Sequence, residues 1–130
     1  MSAILKVMNG QRKSHSANDV SKHLPLRPVA CAVLAALADG PKPGIDIMDA
    51  ANATVPGHPI LGPGSLYRLL KELRHEKLIA RADAAGDGPA DDRQVHHVLT
   101  PLGDLVLRAE VARLRRTITL AGGVRQAHER

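Results

Sequence analysis

The stretch from Gly62 to Ala80, GPGSLYRLLKELRHEKLIA, constrains the fold more than any other part of the chain. Pro63 suits the first turn of a helix, where its missing N–H forfeits no intrahelical bond. Leu66, Leu69, Leu70 and Leu73 recur at helical spacing and define one apolar face. Tyr67, Arg68, Lys71, Arg74 and His75 occupy the other side. Leu78 and Ile79 then open a β run, so the spacing predicts a helix over about residues 63–77 that passes straight into a strand. A helix anchored on one side and cationic with a single aromatic on the other suits the groove of a polyanion. Many helices with a basic face are simply solvated there, so the neighbouring segments decide.

Upstream, Pro25 and Pro28 lead into a helix from Pro28 to Asp39, with Val29, Val33, Ala36 and Leu37 on one face. Gly40 is placed to end it with a left-handed residue, and Pro41 and Pro43 block its continuation. Cys31 lies inside this helix and reads as a small buried thiol. After the tight connector PKPG, a second helix runs from about Gly44 to Ala53, with Ile45, Ile47, Met48 and Ala51 as core candidates. Asp46 sits in its first turn, where the helix dipole favours negative charge. Residues 54–62, TVPGHPILG, hold two Pro and two Gly and read as loop, pinned to the core by Ile60 and Leu61. Downstream, LIARAD and RQVHHVLT read as two strands joined by the acidic turn AAGDGPADD, an antiparallel hairpin. Leu78, Ala80 and Ala82 are expected on one face of the first strand, Ile79 and Arg81 on the other. Thr100 and Pro101 restart a helix as cap and first residue, and it runs to about Leu120, before Gly122 and Gly123.

This last helix carries two apolar stripes. Leu102, Leu105, Val106 and Ala109 are expected to lie on the domain. Leu107, Val111, Leu114, Ile118 and Ala121 form a second line at alternating spacings of four and three, a coiled-coil-like seam read as a homodimer interface. The fold class is therefore mainly α with a small β-hairpin: a winged helix-turn-helix followed by a C-terminal dimerisation helix. Residues 1–24 read as a flexible basic segment, with loop over 9–18 and a possible short helix over 2–8. Residues 25–100 form the winged helix-turn-helix domain, 101–121 the dimerisation helix and 122–130 a polar tail.

Charge distribution agrees. The chain has 130 residues and a net charge of +5. Five basic and one acidic side chain fall in residues 1–27, five and two in 62–81, and seven and three in 93–130, whereas residues 82–92 hold four Asp and no cation. Positive charge thus gathers on the amino-terminal segment, the central helix and the last helix, the pattern expected of a nucleic-acid binder. With no Phe, no Trp and one Tyr, the core must be built from Leu, Val, Ile and Ala. The single cysteine rules out an intrachain disulfide and fits a reducing, cytoplasmic setting. No apolar run approaches the length of a membrane span.

Three phrases carry a family resemblance. AVLAALADGPKPGIDI resembles the first helix and following turn of the PadR family of winged-helix transcriptional regulators. GPGSLYRLLKELRHEKLIAR resembles its recognition helix and first wing strand, and VLTPLGDLVL its second wing strand entering the dimerising helix. Together they cover roughly residues 28–120. The resemblance implies a homodimer that binds double-stranded DNA at an inverted-repeat operator and represses a nearby promoter, without cofactor or metal. By that analogy Ser65 and Tyr67 reach phosphates from the start of the recognition helix. Arg68 and Lys71 are the candidates for base edges, the arginine as a bidentate partner of guanine. Arg74 serves phosphates, and Arg93 is the one wing cation placed to reach DNA. The chain departs from the family pattern at Ile45 and His97, where Tyr is usual, and in its acidic wing. The family's binding of flat drugs between tryptophans has no counterpart here, since Trp is absent.

Other function classes have less to stand on. GPGS lacks the Gly-Lys-Ser/Thr of a phosphate loop, and neither GxSxG nor HExxH occurs, so no catalytic residue is assigned. The seven His show no tight ligand spacing, and His96 and His97, adjacent in a strand, point to opposite faces. The alternative to a DNA-binding regulator is a winged-helix protein-interaction module, for which the acidic wing would suit a basic partner.

Overall fold

Proline and glycine set the boundaries of the helices, and leucine sets what they bury. The structure, a computed structural model, describes residues 15–82 and 94–122. In chain order it contains α1 (Ala17–Ser21), α2 (Pro28–Ala36), β1 (Lys42–Pro43), α3 (Gly44–Asn52), α4 (Pro63–His75), β2 (Ile79–Arg81), β3 (His96–Leu99) and α5 (Pro101–Leu120). The core joins Val33, Leu34 and Leu37 to Ile47 and Ala51, to the four leucines of α4, to Leu78 and Ile79, and to Leu102, Val106 and Leu107. Among the described residues, no Phe, Trp or Tyr belongs to it.

The segment expected to be loop through residue 18 contains α1. Its start is a capping box: Asp19 N–H donates to Ser16 Oγ at 3.1 Å, and Ser16 N–H donates to Asp19 Oδ2 at 3.0 Å. Val20, Leu24 and Leu26 pack on the core, so the ordered domain begins before Pro25. The short helix considered for residues 2–8, like the polar tail beyond Gly122, lies outside the described residues. Helix α2 ends three residues earlier than the spacing predicts. Leu37 N–H and Ala38 N–H bond three residues back, to Leu34 O and Ala35 O, tightening the chain into a turn that Gly40 closes at φ +142°.

Three strands form the sheet where two were expected, in the order β1-β3-β2, all antiparallel. Lys42 pairs with His97 and Pro43 with His96, while Ile79, Ala80 and Arg81 face Leu99, Val98 and His97. The PKPG connector thus doubles as an edge strand, a position where proline's missing donor is tolerated. The face assignment within β2 also changes: Leu78 and Ile79 are both buried. Leu78 belongs to the helix end. Lys77 takes a left-handed φ of 65°, its N–H donates to Arg74 O at 2.9 Å, and Leu78 N–H donates to Leu73 O at 3.0 Å. That pair of bonds is a Schellman motif, and the accompanying apolar contact is Leu73 with Leu78.

Thr100 welds this turn to α5. Its Oγ1 accepts from Gly103 N–H at 3.0 Å and donates to Lys77 O at 2.6 Å, and its own N–H donates to Leu78 O at 3.1 Å. The helix approaches so closely here that a Cβ on Gly103 would overlap Leu78 O and lie 2.9 Å from Leu78 C and 3.2 Å from Leu99 Cδ2.

The stripes of α5 divide differently from the expectation. Leu107, expected in the dimer seam, is only 6% exposed and lies in the core of its own chain. Val111 packs partly on that core. Leu105, expected to face the domain, is 41% exposed. The buried face runs through Leu102, Gly103, Val106, Leu107 and Glu110, and beyond it Leu114 and Ile118 stand 37% and 69% exposed. Glu110 is an acid inside this core, 2% exposed. Arg113 grips it with two bonds of 2.8 and 2.7 Å, and Leu26 N–H adds a third donor. Chiefly through Arg113, and against the opposing effect of burial, its carboxyl is held below the usual range.

Candidate nucleic-acid interface

Helix α4 is held at four places. At its start, Ser65 Oγ accepts from Gly62 N–H at 3.0 Å and donates to Gly62 O at 3.2 Å. Before it, Asn52 at the end of α3 clasps the incoming loop. Its Oδ1 accepts from Ile60 N–H and Leu61 N–H, both at 2.8 Å, and its Nδ2 donates to Leu61 O at 3.0 Å. Leu61 is buried and Ile60 half-buried, so the two residues pin the loop as expected, with Asn52 as the polar part of the clasp. Along its inner face, Leu66, Leu69, Leu70 and Leu73 are buried. Across the side, Glu72 pairs with Arg27 at 3.0 Å, tying α4 to the start of α2.

The outer face keeps part of its expected set. Arg68 and Lys71 are exposed, one turn apart, and Tyr67 between the faces is half-buried. Ser65 is occupied at home: its hydroxyl hydrogen points to Gly62 O, so in this geometry it fixes the helix start. Arg74 turns toward the sheet, with Nη1 3.1 Å from Nε2 of His97. A guanidinium has only donors, so His97 Nε2 accepts and the ring proton sits on Nδ1. His97 is buried in β3 while His96 is exposed, the opposite-face arrangement that the alternation implies. Arg93, Asp83 and the three aspartates of the hairpin turn lie outside the described residues.

Asn52 and Glu72 are residues that sequence reasoning missed, and His97 stood out only as a departure from the family's Tyr. Each acts on a partner distant in sequence, and only Asn52 carried a local hint, as an amide beside a Pro- and Gly-rich loop. What the arrangement can do is present a guanidinium and an ammonium on a rigid rod, with the leucine face fixed behind them. Such groups meet phosphate oxygens and guanine edges by charge-assisted hydrogen bonds. Among the described residues, no group of three or more His, Cys, Asp or Glu could hold a metal ion, and no helix is long and apolar enough to cross a membrane.

Comparisons with known proteins agree with this geometry. Among solved structures, a transcriptional regulator from Clostridium thermocellum matches with a TM-score of 0.56 at 14% identity, over 85% of this chain and 97% of that one, a likeness of fold. No curated protein gives a significant sequence match. A model of the transcriptional regulator PadR-like family matches residues 33–109, which span α2 from Val33, the sheet, α3, α4 and half of α5. With more than half of its length matched, the chain belongs to the PadR-like family of transcriptional regulators, DNA-binding proteins of the winged helix-turn-helix type.

Proposed function

We propose that this regulator is a cytoplasmic homodimeric repressor that sets two copies of α4 into the major groove of an inverted-repeat operator. The observation that carries the reading is the asymmetry of α4: a leucine face that is fully buried, and an opposite face on which Arg68 and Lys71 stand exposed. Arg68 takes the base-reading role and Lys71 supports it. Tyr67 and the helix start contact phosphate, with Ser65 holding that start in shape. Arg74 sets the angle between α4 and the wing strand in addition to any phosphate contact, and Arg93 reaches the backbone from the wing.

Pairing of two copies is assigned to the outer half of α5. Leu114 and Ile118 lie on the same side of the helix as Leu107 and Val111, but the domain no longer covers that side, so a second copy completes it. The seam therefore centres on Leu114 and Ile118, with Leu107 and Val111 at its inner margin. Binding of a promoter fragment measured across a salt series tests the reading. Several phosphate contacts predict a steep fall of log affinity with log salt. Replacing Arg68 with Ala should weaken specific binding by about 1–3 kcal/mol, the range of a bidentate base contact. Absence of binding even at low salt would instead favour a protein-interaction module.

A further inference from the structure

At the far end of α4 the chain forms a second cationic feature, which adjoins the first: His75 stands one helical turn beyond Lys71. Lys22 and His23 follow α1, His75, Glu76 and Lys77 end α4, and Leu102 lies in the first turn of α5. These six residues line one open cleft of about 520 Å³. That volume is in the range of small-molecule sites. His75 is seven residues beyond Arg68 in sequence, about 10 Å further along the helix axis.

The side chains at this cleft have no bonded partners among the described residues, although Lys22 acts electrostatically on Asp19, one turn back. Neither lysine, neither histidine nor Glu76 makes a side-chain hydrogen bond or ion pair with another described residue. Nε2 of His23 is shielded from solvent and has no partner. Two ammonium groups and two imidazoles against one carboxylate leave an excess of donors around an apolar floor at Leu102, which is buried.

We propose that this cleft binds a small oxyanion, a phosphorylated or carboxylated effector. Its charged head lies between Lys22 and Lys77, with His23 and His75 as further donors and Leu102 beneath its body. Glu76 is the acceptor for a hydroxyl or amino group on that body and disfavours a second anionic group beside it. Binding bridges the α1–α2 turn to the base of α4, so occupancy bears on the helix that reads DNA. Anion binding itself does not depend on the DNA-binding reading and stands or falls separately. A backbone phosphate of DNA has the same chemistry, and the commitment here is to a free anion.

The test is an NMR titration of the full chain with inorganic phosphate, at ionic strength held constant with sodium chloride. Saturable amide shifts confined to residues 22, 23, 75–77 and 102 are expected. Lys22→Gln and Lys77→Gln should each weaken binding about tenfold, the effect of losing one charge-assisted contact, while the rest of the spectrum is unchanged. Shifts that rise linearly without saturating, or that neither substitution alters, overturn the proposal. A duplex promoter fragment is the second arm. If DNA moves the same signals and phosphate competes with it there, the cleft serves the DNA backbone and the free-effector proposal is overturned.

Discussion

Replacing Gly103 with Ala sets two principles against each other, and the structure decides between them. By helix propensity alone, alanine in place of glycine stabilises a helix by about 1 kcal/mol. At Gly103 the added methyl would overlap the carbonyl oxygen of Leu78, with Leu78 C at 2.9 Å and Leu99 Cδ2 at 3.2 Å. Two of these three atoms are backbone and cannot swing aside as a side chain can. Relief requires α5 to lift away from the start of β2. Overpacking of this kind costs about 1–3 kcal/mol or more. Lifting also strains the bonds from Thr100 N–H to Leu78 O and from Thr100 Oγ1 to Lys77 O, each worth about 1 kcal/mol. The net expectation is a loss of about 2–4 kcal/mol, a fall in Tm on the order of 10–20 °C for a domain this size. Urea and thermal unfolding followed by circular dichroism, at one fixed protein concentration, measures it. Gly64 is the internal control, since nothing lies within 4 Å of a Cβ there, so Gly64→Ala should be neutral or stabilising. A Gly103→Ala protein as stable as the parent would refute the close approach of α5 to β2.

The remaining expectations concern the clasp, the buried acid and the pairing surface. Asn52→Ala removes three hydrogen bonds around Leu61 and should cost about 2–3 kcal/mol, with faster amide exchange at Ile60 and Leu61; a loss below about 0.5 kcal/mol would show that the clasp contributes nothing. For Glu110 the folded carboxyl lies below its ordinary value of 4.5, so its stabilisation is complete above that value and is lost as pH falls through the folded one. The stability gap between the parent and Glu110→Gln, from urea unfolding, should therefore shrink from pH 7 toward pH 3; a constant gap would contradict the assignment. Leu114→Asp should yield a folded monomer by light scattering and circular dichroism, whereas Leu107→Asp should unfold the chain, because Leu107 is buried in its own core. An unchanged dimer mass for Leu114→Asp would remove the seam.

The helices were legible because leucine at a period near 3.6 and punctuation by Pro and Gly are local signals. Helix α4 is the clearest instance: Pro63 opens it and its four leucines are all buried. Helix α5 was located with the same ends and with Leu102 and Val106 correctly inside, but Leu105 was misplaced and Leu107 and Glu110 were missed. Its buried face runs through Gly103, Val106, Leu107 and Glu110, and two of those four are residues that a hydrophobic pattern passes over. Glycine was wanted there for its missing side chain, and glutamate because Arg113 and Leu26 N–H satisfy it. Strand β1 was illegible for a different reason: a two-residue strand has no period, and its pairing depends on residues more than fifty positions away. Within the site, the positions of Arg68 and Lys71 follow from helix geometry alone. The inward turn of Arg74 does not, because it depends on a ring supplied by another strand.

One hydroxyl leaves almost no slack between the two ends of this protein's business. Thr100 Oγ1 is shared between Lys77, in the turn that closes α4, and Gly103, in the first turn of α5. The two helices are therefore spliced into a bell-crank, with one short arm and one of about 30 Å. A load on the distal turns of α5 meets the end of α4 at the three hydrogen bonds of Thr100, with that single residue between β3 and α5.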